Sequence, residues 1–460
     1  MPNDHMKFVD FLIIGAGPAG LGASNRLQEM GIHNFLILES NSYVGGLSAS
    51  FKDNAGFTWD TGGHILFSKY PYFNQLMAAL MGEDLLEHKR KALIHVAGDW
   101  IDYPLQDNIA QLSDDLAQEC LEGFIRAQSV NRVALNFQEW VQKTFGDGIS
   151  RIFMSPYNRK VWAFPLHLMD YTWIKDRVSI PDLGQLKQKT NSGPKPNGWG
   201  PNNFFSYPLY GGIGEIFRRL SQRFRRRLLK NHKVIKVDTL ERVVTTLNGR
   251  QFTYRNLLNT SPLDNFVKDI IKPVEPGIVD VAKLLKHNSV AIVGIGLDMI
   301  IAKRANWMYF PETNCPFYRV TNLHNYSPHS TPNSRCHSAF MAEVSCSPQH
   351  TIDQKRLEEK VVKGLIDVGL LAKEKIGNII SRWRMSSEYG YPVPCLERDR
   401  ILTMIQPYLE ERNIYSRGRF GGWKYEVGNM DHSFMQGVEW VERMVLGKEE
   451  STYPRLKTVN

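Results

Sequence analysis

Glycines at fixed offsets open the chemistry of this chain. Gly15-Ala16-Gly17-Pro18-Ala19-Gly20 follows the apolar run 9–14 and precedes an amphipathic stretch over 21–30, giving the order strand, tight turn, helix. Gly15 permits the turn, Gly17 lets backbone approach a pyrophosphate, and Gly20 lets the helix lie against the strand. The helix beginning at Pro18 and Ala19 offers unpaired N–H donors to phosphate oxygens. Glu39 lies nineteen positions past Gly20, at the end of a second apolar run over 35–38 and just before Ser40. A carboxylate there can accept from a ribose hydroxyl.

Nicotinamide and flavin dinucleotides share that fingerprint, and the next glycines discriminate between them. Gly45-Gly46-Leu47 and Asp60-Thr61-Gly62-Gly63-His64 supply bare backbone where an extended cofactor must pass. Three such segments in this order predict FAD.

No nucleophile elbow, metal-spaced His/Cys/carboxylate cluster or obvious acid–base pair accompanies the fingerprint, so no metal is expected. Arginine and tyrosine instead recur beside turn residues: Tyr309, Arg319, Tyr391, Arg419 and Tyr425. Guanidinium forks and phenol donors suit a diphosphate, where charge-assisted hydrogen bonds are strong and directional. Taken singly, each is more often a surface ion pair or the edge of a core.

The elements that must position these residues form more than one core, because 460 residues exceed a single ordinary domain. A discontinuous Rossmann-like FAD-binding domain is expected over 1–100, 204–262 and 391–460. A helical substrate-binding insertion is expected over 105–200, with helical periodicity at 109–124 and 135–145 and a mobile loop near 191–203. Residues 263–390 read as an antiparallel β-sheet substrate domain, with strands near 290–297 and 341–346. Further strands near 234–237 and a hairpin turning at Asn248-Gly249 belong to the cofactor domain, as does a closing helix over 434–446. The fold class is α/β.

With 42% hydrophobic and 22% charged residues the composition is that of a soluble globular protein. No apolar run approaches a membrane span and no secretory leader is evident, so a cytoplasmic location without membrane partners is expected. Five scattered cysteines without a CxxC pair argue against a disulfide framework or zinc site. The net charge of +9 is densest around Arg218, Arg219, Arg223, Arg225, Arg226, Arg227 and Lys230. That cluster reads as a solvated helix face, not a nucleic-acid site.

The chain resembles the UDP-galactopyranose mutases, especially the longer eukaryotic-type members, nearly end to end. The likeness rests on residues 15–20, Gly62-Gly63-His64-Ile65-Leu66-Phe67-Ser68, Tyr103-Pro104-Leu105-Gln106-Asp107-Asn108, residues 156–163, Trp199-Gly200-Pro201-Asn202, residues 314–319, and residues 418–434. The resemblance implies that Arg319 and Arg419 hold a substrate pyrophosphate, assisted by Tyr309, Tyr391 and Tyr425. It places Phe67, Asn158, Trp162, Arg177 and Asn202 around the substrate, His64 on a loop beside the flavin, and Tyr103 and Gln106 at the nucleobase. Val234, Gly418, Gly428, Asn429 and Ser433 would touch FAD. Leu105 stands where the family carries an aromatic residue, which removes a stacking face worth roughly 1 kcal/mol.

The activity so implied is interconversion of UDP-galactopyranose and UDP-galactofuranose for glycan biosynthesis. Reduced flavin N5 attacks the anomeric carbon and carries the sugar as an adduct while the ring reopens and recloses. A reductant such as NAD(P)H would activate the enzyme, and a homo-oligomer is compatible. The rival readings are a mutase of another nucleoside-diphosphate sugar, an FAD-dependent oxidoreductase of the amine-oxidase type, and a non-catalytic binding protein.

Overall fold

The computed structural model describes residues 6–129, 132–174, 177–182, 184 and 203–454. Among these, no helix is long and apolar enough to cross a membrane. The loop expected near 191–203 lies, but for residue 203, outside the described residues.

An eight-stranded sheet carries the glycine fingerprint. Its parallel heart joins Lys7–Ile14 to Phe35–Leu38 on one side and to Gln251–Asn259 on the other. Ile414–Ser416 adds alongside Gln251–Asn259. The expected hairpin is present, Val243–Thr246 pairing antiparallel with Gln251–Asn259 around Gly249 at φ +80°.

The C-terminal helix Met430–Leu446 reaches this domain by backbone contact with the helix Pro18–Glu29. A Cβ on Gly22 would come 2.3 Å from Phe434 O, and one on Gly437 would come 1.9 Å from Ala19 O. Only glycine allows that approach, and the approach delivers residues 428–433 to the first glycine loop.

A seven-stranded sheet forms the second layer, ordered Ile379–Pro392, His287–Leu297, Ser338–Cys346, Arg319–Asn322, Trp307–Tyr309, Ala92–Val96 and Asp99–Asp102. All pairs are antiparallel except Trp307–Tyr309 with Ala92–Val96. Residues 92–102 therefore extend this sheet and not the parallel one. The hairpin of Ser50–Lys52 and Thr58–Asp60 packs on it through aromatic rings. Trp59 and Phe57 lie where a Cβ on Gly294 or Gly296 would come within 2.7 Å of a ring atom.

The helical expectation over 109–124 meets a break. Ile109–Gln111 is a single 3₁₀ turn, and the α-helix runs from Asp114 to Gln128 after Ser113, with Asp114 and Asp115 favouring its positive end. It packs on Phe137–Ile149 at Gly123 and Gly146, where a Cβ on Gly146 would fall 2.1 Å from Gly123 O. In the arginine-rich helix Gly214–Gln222, Arg219 pairs with Asp84 at 2.6 Å and Arg218 with Glu215 at 2.8 Å, as expected of a solvated face.

Candidate functional site

Between the two sheets lies a cavity of about 570 Å³. One end is lined by Gly15, Gly17, Pro18, Ala19, Glu39, Ser40, Gly46, Leu47 and Val234. The other holds Gly62, His64, Arg319, Tyr391, Gly418, Arg419, Gly428 and Ser433. The structure thus gathers most predicted cofactor residues and the three predicted catalytic ones around one space.

The dinucleotide end is built by its backbone. Gly15 turns at φ +100° and donates its N–H to Leu38 O at 2.8 Å, closing the strand-to-helix turn. A Cβ on Gly20 would strike Gly15 O at 2.0 Å, so Gly20 serves helix–strand packing and not direct contact. A Cβ on Gly17 would meet nothing nearer than Gly46 Cα at 4.0 Å, which leaves a strip of backbone open toward the cavity. No side chain caps the helix at Gly17, and no acid occupies its first turn. An uncapped helix end beside bare glycine backbone is a cradle for a pyrophosphate, and these residues fit FAD.

Glu39 is 5% exposed and already engaged, accepting from Ala16 N at 2.7 Å and from Asn41 N at 2.8 Å. It fixes the glycine loop as well as facing the cavity. Gly45 does not line the space; at φ +101° it forms a turn whose N–H donates to Ala16 O at 2.9 Å. Asn429 likewise stands just outside, at the start of the C-terminal helix, where its C=O accepts from Ser433 N at 2.8 Å.

At the other end, strand pairing sets Arg319 opposite Glu343. Arg319 Nε donates to Glu343 Oε1 at 2.6 Å and Nη2 donates to Oε2 at 2.8 Å. Tyr318 Oη donates to Oε2 at 2.8 Å and Gly63 N to Oε1 at 3.1 Å, so Gly63 serves this pair, away from the cavity wall. Burial pushes the Glu343 carboxyl up, but the Arg319 guanidinium and the Tyr318 hydroxyl together outweigh burial and hold it below the usual carboxylate range.

Arg419 differs. Among the described residues it has no carboxylate partner; Nη1 donates to Gly428 O at 3.0 Å, and its guanidinium lies 4.8 Å from the Tyr391 ring and 5.8 Å from that of Tyr425. His64 feels both charges, its pKa lowered to about 4 by burial and by Arg419, with Nδ1 buried and, among the described residues, without a partner. Burial also raises the hydroxyls of Tyr309 and Tyr391 above the usual phenol range, keeping them donors.

An aromatic wall continues from Tyr391. Trp162 lies 4.8 Å from Tyr425 and 6.0 Å from Tyr391, and Tyr103 lies 4.9 Å from Tyr309. Arg177 stacks 5.2 Å from Tyr425 and donates to Glu426 O. Asn158 is half-buried and donates to Met154 O at 2.8 Å; Phe67 is half-buried on the loop after His64. Asn202 lies outside the described residues.

The nucleobase expectation needs correction at Leu105. Its side chain is 0% exposed, inside the helical core with Ile94, Ile109 and Phe145, and so presents no wall to a ligand. Gln106 is buried beside it, donating Nε2 to Ser179 O at 2.9 Å.

Two positioning residues were absent from the sequence reading. Glu343 carried a signal, a lone carboxylate inside the apolar run 339–344. Asn288 carried none: its amide donates to Val161 O at 2.8 Å and Trp162 O at 3.1 Å and accepts from Tyr391 N at 2.7 Å, tying the helix Ser155–Trp162 to Tyr391.

Comparison with known proteins agrees with this geometry. The family described as "Flavin containing amine oxidoreductase" matches residues 18–440. A crystal structure of reduced UDP-galactopyranose mutase is 38% identical, with a TM-score of 0.93 over 97% of this chain and 96% of that one. The chain belongs to the UDP-galactopyranose mutase family.

Membership makes this mutase-family protein a flavoprotein. Cyclohexylamine oxidase from Brevibacterium oxydans, 14% identical with a TM-score of 0.68 over 95% of this chain and 99% of that one, shares the fold alone. The 15-cis-phytoene desaturase of Glycine max is 37% identical over 89 residues, which span 19% of this chain and 15% of the desaturase.

Proposed function

We propose that the protein interconverts the pyranose and furanose forms of a nucleoside-diphosphate sugar, with UDP-galactopyranose and UDP-galactofuranose as the pair. The observation that carries this reading is the unbalanced charge of Arg419, stacked on tyrosines at one end of a cavity whose other end fits FAD. Reduced FAD, when bound, supplies the nucleophile at N5, so the reaction needs no activated Ser, Cys or Asp nucleophile from the protein.

The chain's own residues bind and orient. Arg419 offers the charge that receives the departing diphosphate and keeps it near for return. Arg319 is neutralised by Glu343 and acts as a fixed donor, with Tyr309 and Tyr391 as neutral hydrogen-bond donors around it and the Tyr425 ring beside Arg419. His64, neutral above pH 5, leaves the two arginines undisturbed by a third positive charge. Trp162 and the tyrosine rings exclude water from the sugar. A reduced nicotinamide cofactor is the proposed reductant.

The test is incubation of dithionite-reduced protein with UDP-galactofuranose and its guanosine and thymidine counterparts, with products separated by chromatography. UDP-galactopyranose is the expected product. Conversion of another nucleotide sugar in preference would reassign the substrate, and conversion of none, with turnover of an amine instead, would overturn the reading.

A further inference from the structure

Away from the cofactor cavity, strand register gathers three metal-ligating side chains that chain order separates. Leu297 pairs with Ser338 where His287–Leu297 and Ser338–Cys346 end together. Asp298, just past one strand, therefore lies beside His337, just before the other. His337 Nε2 is 3.4 Å from Asp298 Oδ1, and Cys336 Sγ completes a group whose ligand atoms all lie within 4.8 Å of one another.

The backbone beneath these ligands is fixed. Asp298 N donates to Asn378 O and Asn378 Nδ2 donates back to Asp298 O, both at 2.8 Å. The N–H groups of Cys336 and His337 both donate to Asn333 O, at 3.2 and 2.9 Å. The His337 ring is held against Phe57, centroids 5.8 Å apart. Cys336 is a free, half-buried thiol with Sγ 4.0 Å from Asn333 O.

A surface Asp–His pair accounts for the 3.4 Å contact but gives the thiol no part. A tetrahedral ion accounts for both. With metal–nitrogen and metal–oxygen bonds near 2.0–2.1 Å, a tetrahedral edge is about 3.3 Å, close to the observed separation. A thiolate, an imidazole and a carboxylate select zinc-class ions over magnesium or calcium.

We propose that Asp298, Cys336 and His337 bind a zinc-class transition-metal ion, with water in the fourth position. Among the described residues His337 Nδ1 has no hydrogen-bond partner, so no supporting acceptor of the kind that tightens many zinc centres is seen there. The ion would clamp the ends of two neighbouring strands. Asp298 lies six residues beyond Ile292, the last cavity-lining residue of its strand, a separation of roughly 20 Å. Its effect is on stability, not on the reaction.

The test uses FAD-loaded protein freed of metal by chelator and then equilibrated with Zn²⁺ by dialysis, with metal content measured by mass spectrometry. One zinc per chain is expected, with binding at least ten-fold weaker in Cys336→Ser and Asp298→Asn but unaltered in Cys346→Ser. Retained flavin reports that each variant is folded. Zinc should raise the thermal midpoint of the parent and not of Cys336→Ser. With Co²⁺, the parent-minus-Cys336→Ser spectrum should show a thiolate charge-transfer band. No stoichiometric zinc in the parent, or equal binding by Cys336→Ser, overturns the proposal.

Discussion

Arg319 and Glu343 face each other across adjacent strands and share two hydrogen bonds of 2.6 and 2.8 Å, with Glu343 only 1% exposed. The pair fixes a guanidinium at the cavity without adding net charge there, so the two arginines proposed for the diphosphate are not equivalent. Arg419 carries the charge and Arg319 carries the geometry.

That inequality has a measurable consequence for stability. Glu343→Ala leaves a buried guanidinium unpaired and should cost about 3–5 kcal/mol in chemical denaturation. Arg419→Ala, which removes a cation that has no carboxylate partner among the described residues, should cost much less. Similar losses in the two variants would contradict the assignment.

For binding, Arg419→Ala should retain FAD and lose roughly ten- to 150-fold in kcat/KM, from one charge-assisted interaction of about 1.5–3 kcal/mol. Arg419→Lys should recover little, because an ammonium cannot reproduce a planar fork stacked on Tyr391 and Tyr425. Full recovery by lysine would reduce the role of Arg419 to that of a point charge.

Most of the cofactor end was legible in the sequence because its function resides in backbone, and glycine spacing records backbone demands directly. Gly15 turns the chain and Gly20 packs the helix as their offsets indicate, and Gly17 leaves its backbone open beside the cavity. The substrate end was less legible, because strand register and not local spacing pairs Arg319 with Glu343. Arg417 and Arg419 look alike in the sequence; Arg417 is buried in ion pairs with Glu410 and Glu450, and Gly418 at φ +87° turns the chain so that Arg419 reaches the cavity. Leu105 was read as a pocket wall because a motif names a position without saying which way its side chain points.

Two glycine variants separate cofactor contact from packing. Gly17→Ala should fold and bind FAD more weakly, since its methyl projects toward the cavity, whereas Gly437→Ala should fail to fold, since its methyl would overlap Ala19 O at 1.9 Å. Flavin absorbance per folded chain distinguishes them.

His64 has a folded pKa of about 4, below its unfolded value of roughly 6.5. Its contribution to stability is therefore complete above about pH 6.5 and declines as pH falls from there toward 4. Imidazole NMR should show no titration of His64 between pH 5 and 8, and the activity profile should show no ionisation of this group in that window. A midpoint near 6.5 would contradict its placement near the two arginines.

Leu105→Phe tests the corrected nucleobase reading. Inserting a larger ring at a fully buried position should lower stability by about 1–3 kcal/mol and should not tighten UDP binding. Tighter UDP binding in a stable variant would restore Leu105 to the pocket.

The central claim is most directly tested by one anaerobic comparison of the purified holoprotein with its flavin oxidised and with its flavin reduced, each given UDP-galactofuranose. Formation of UDP-galactopyranose only in the reduced sample, with the flavin still reduced at the end, is the predicted result. Equal conversion by the oxidised protein, or conversion in neither sample, would contradict it.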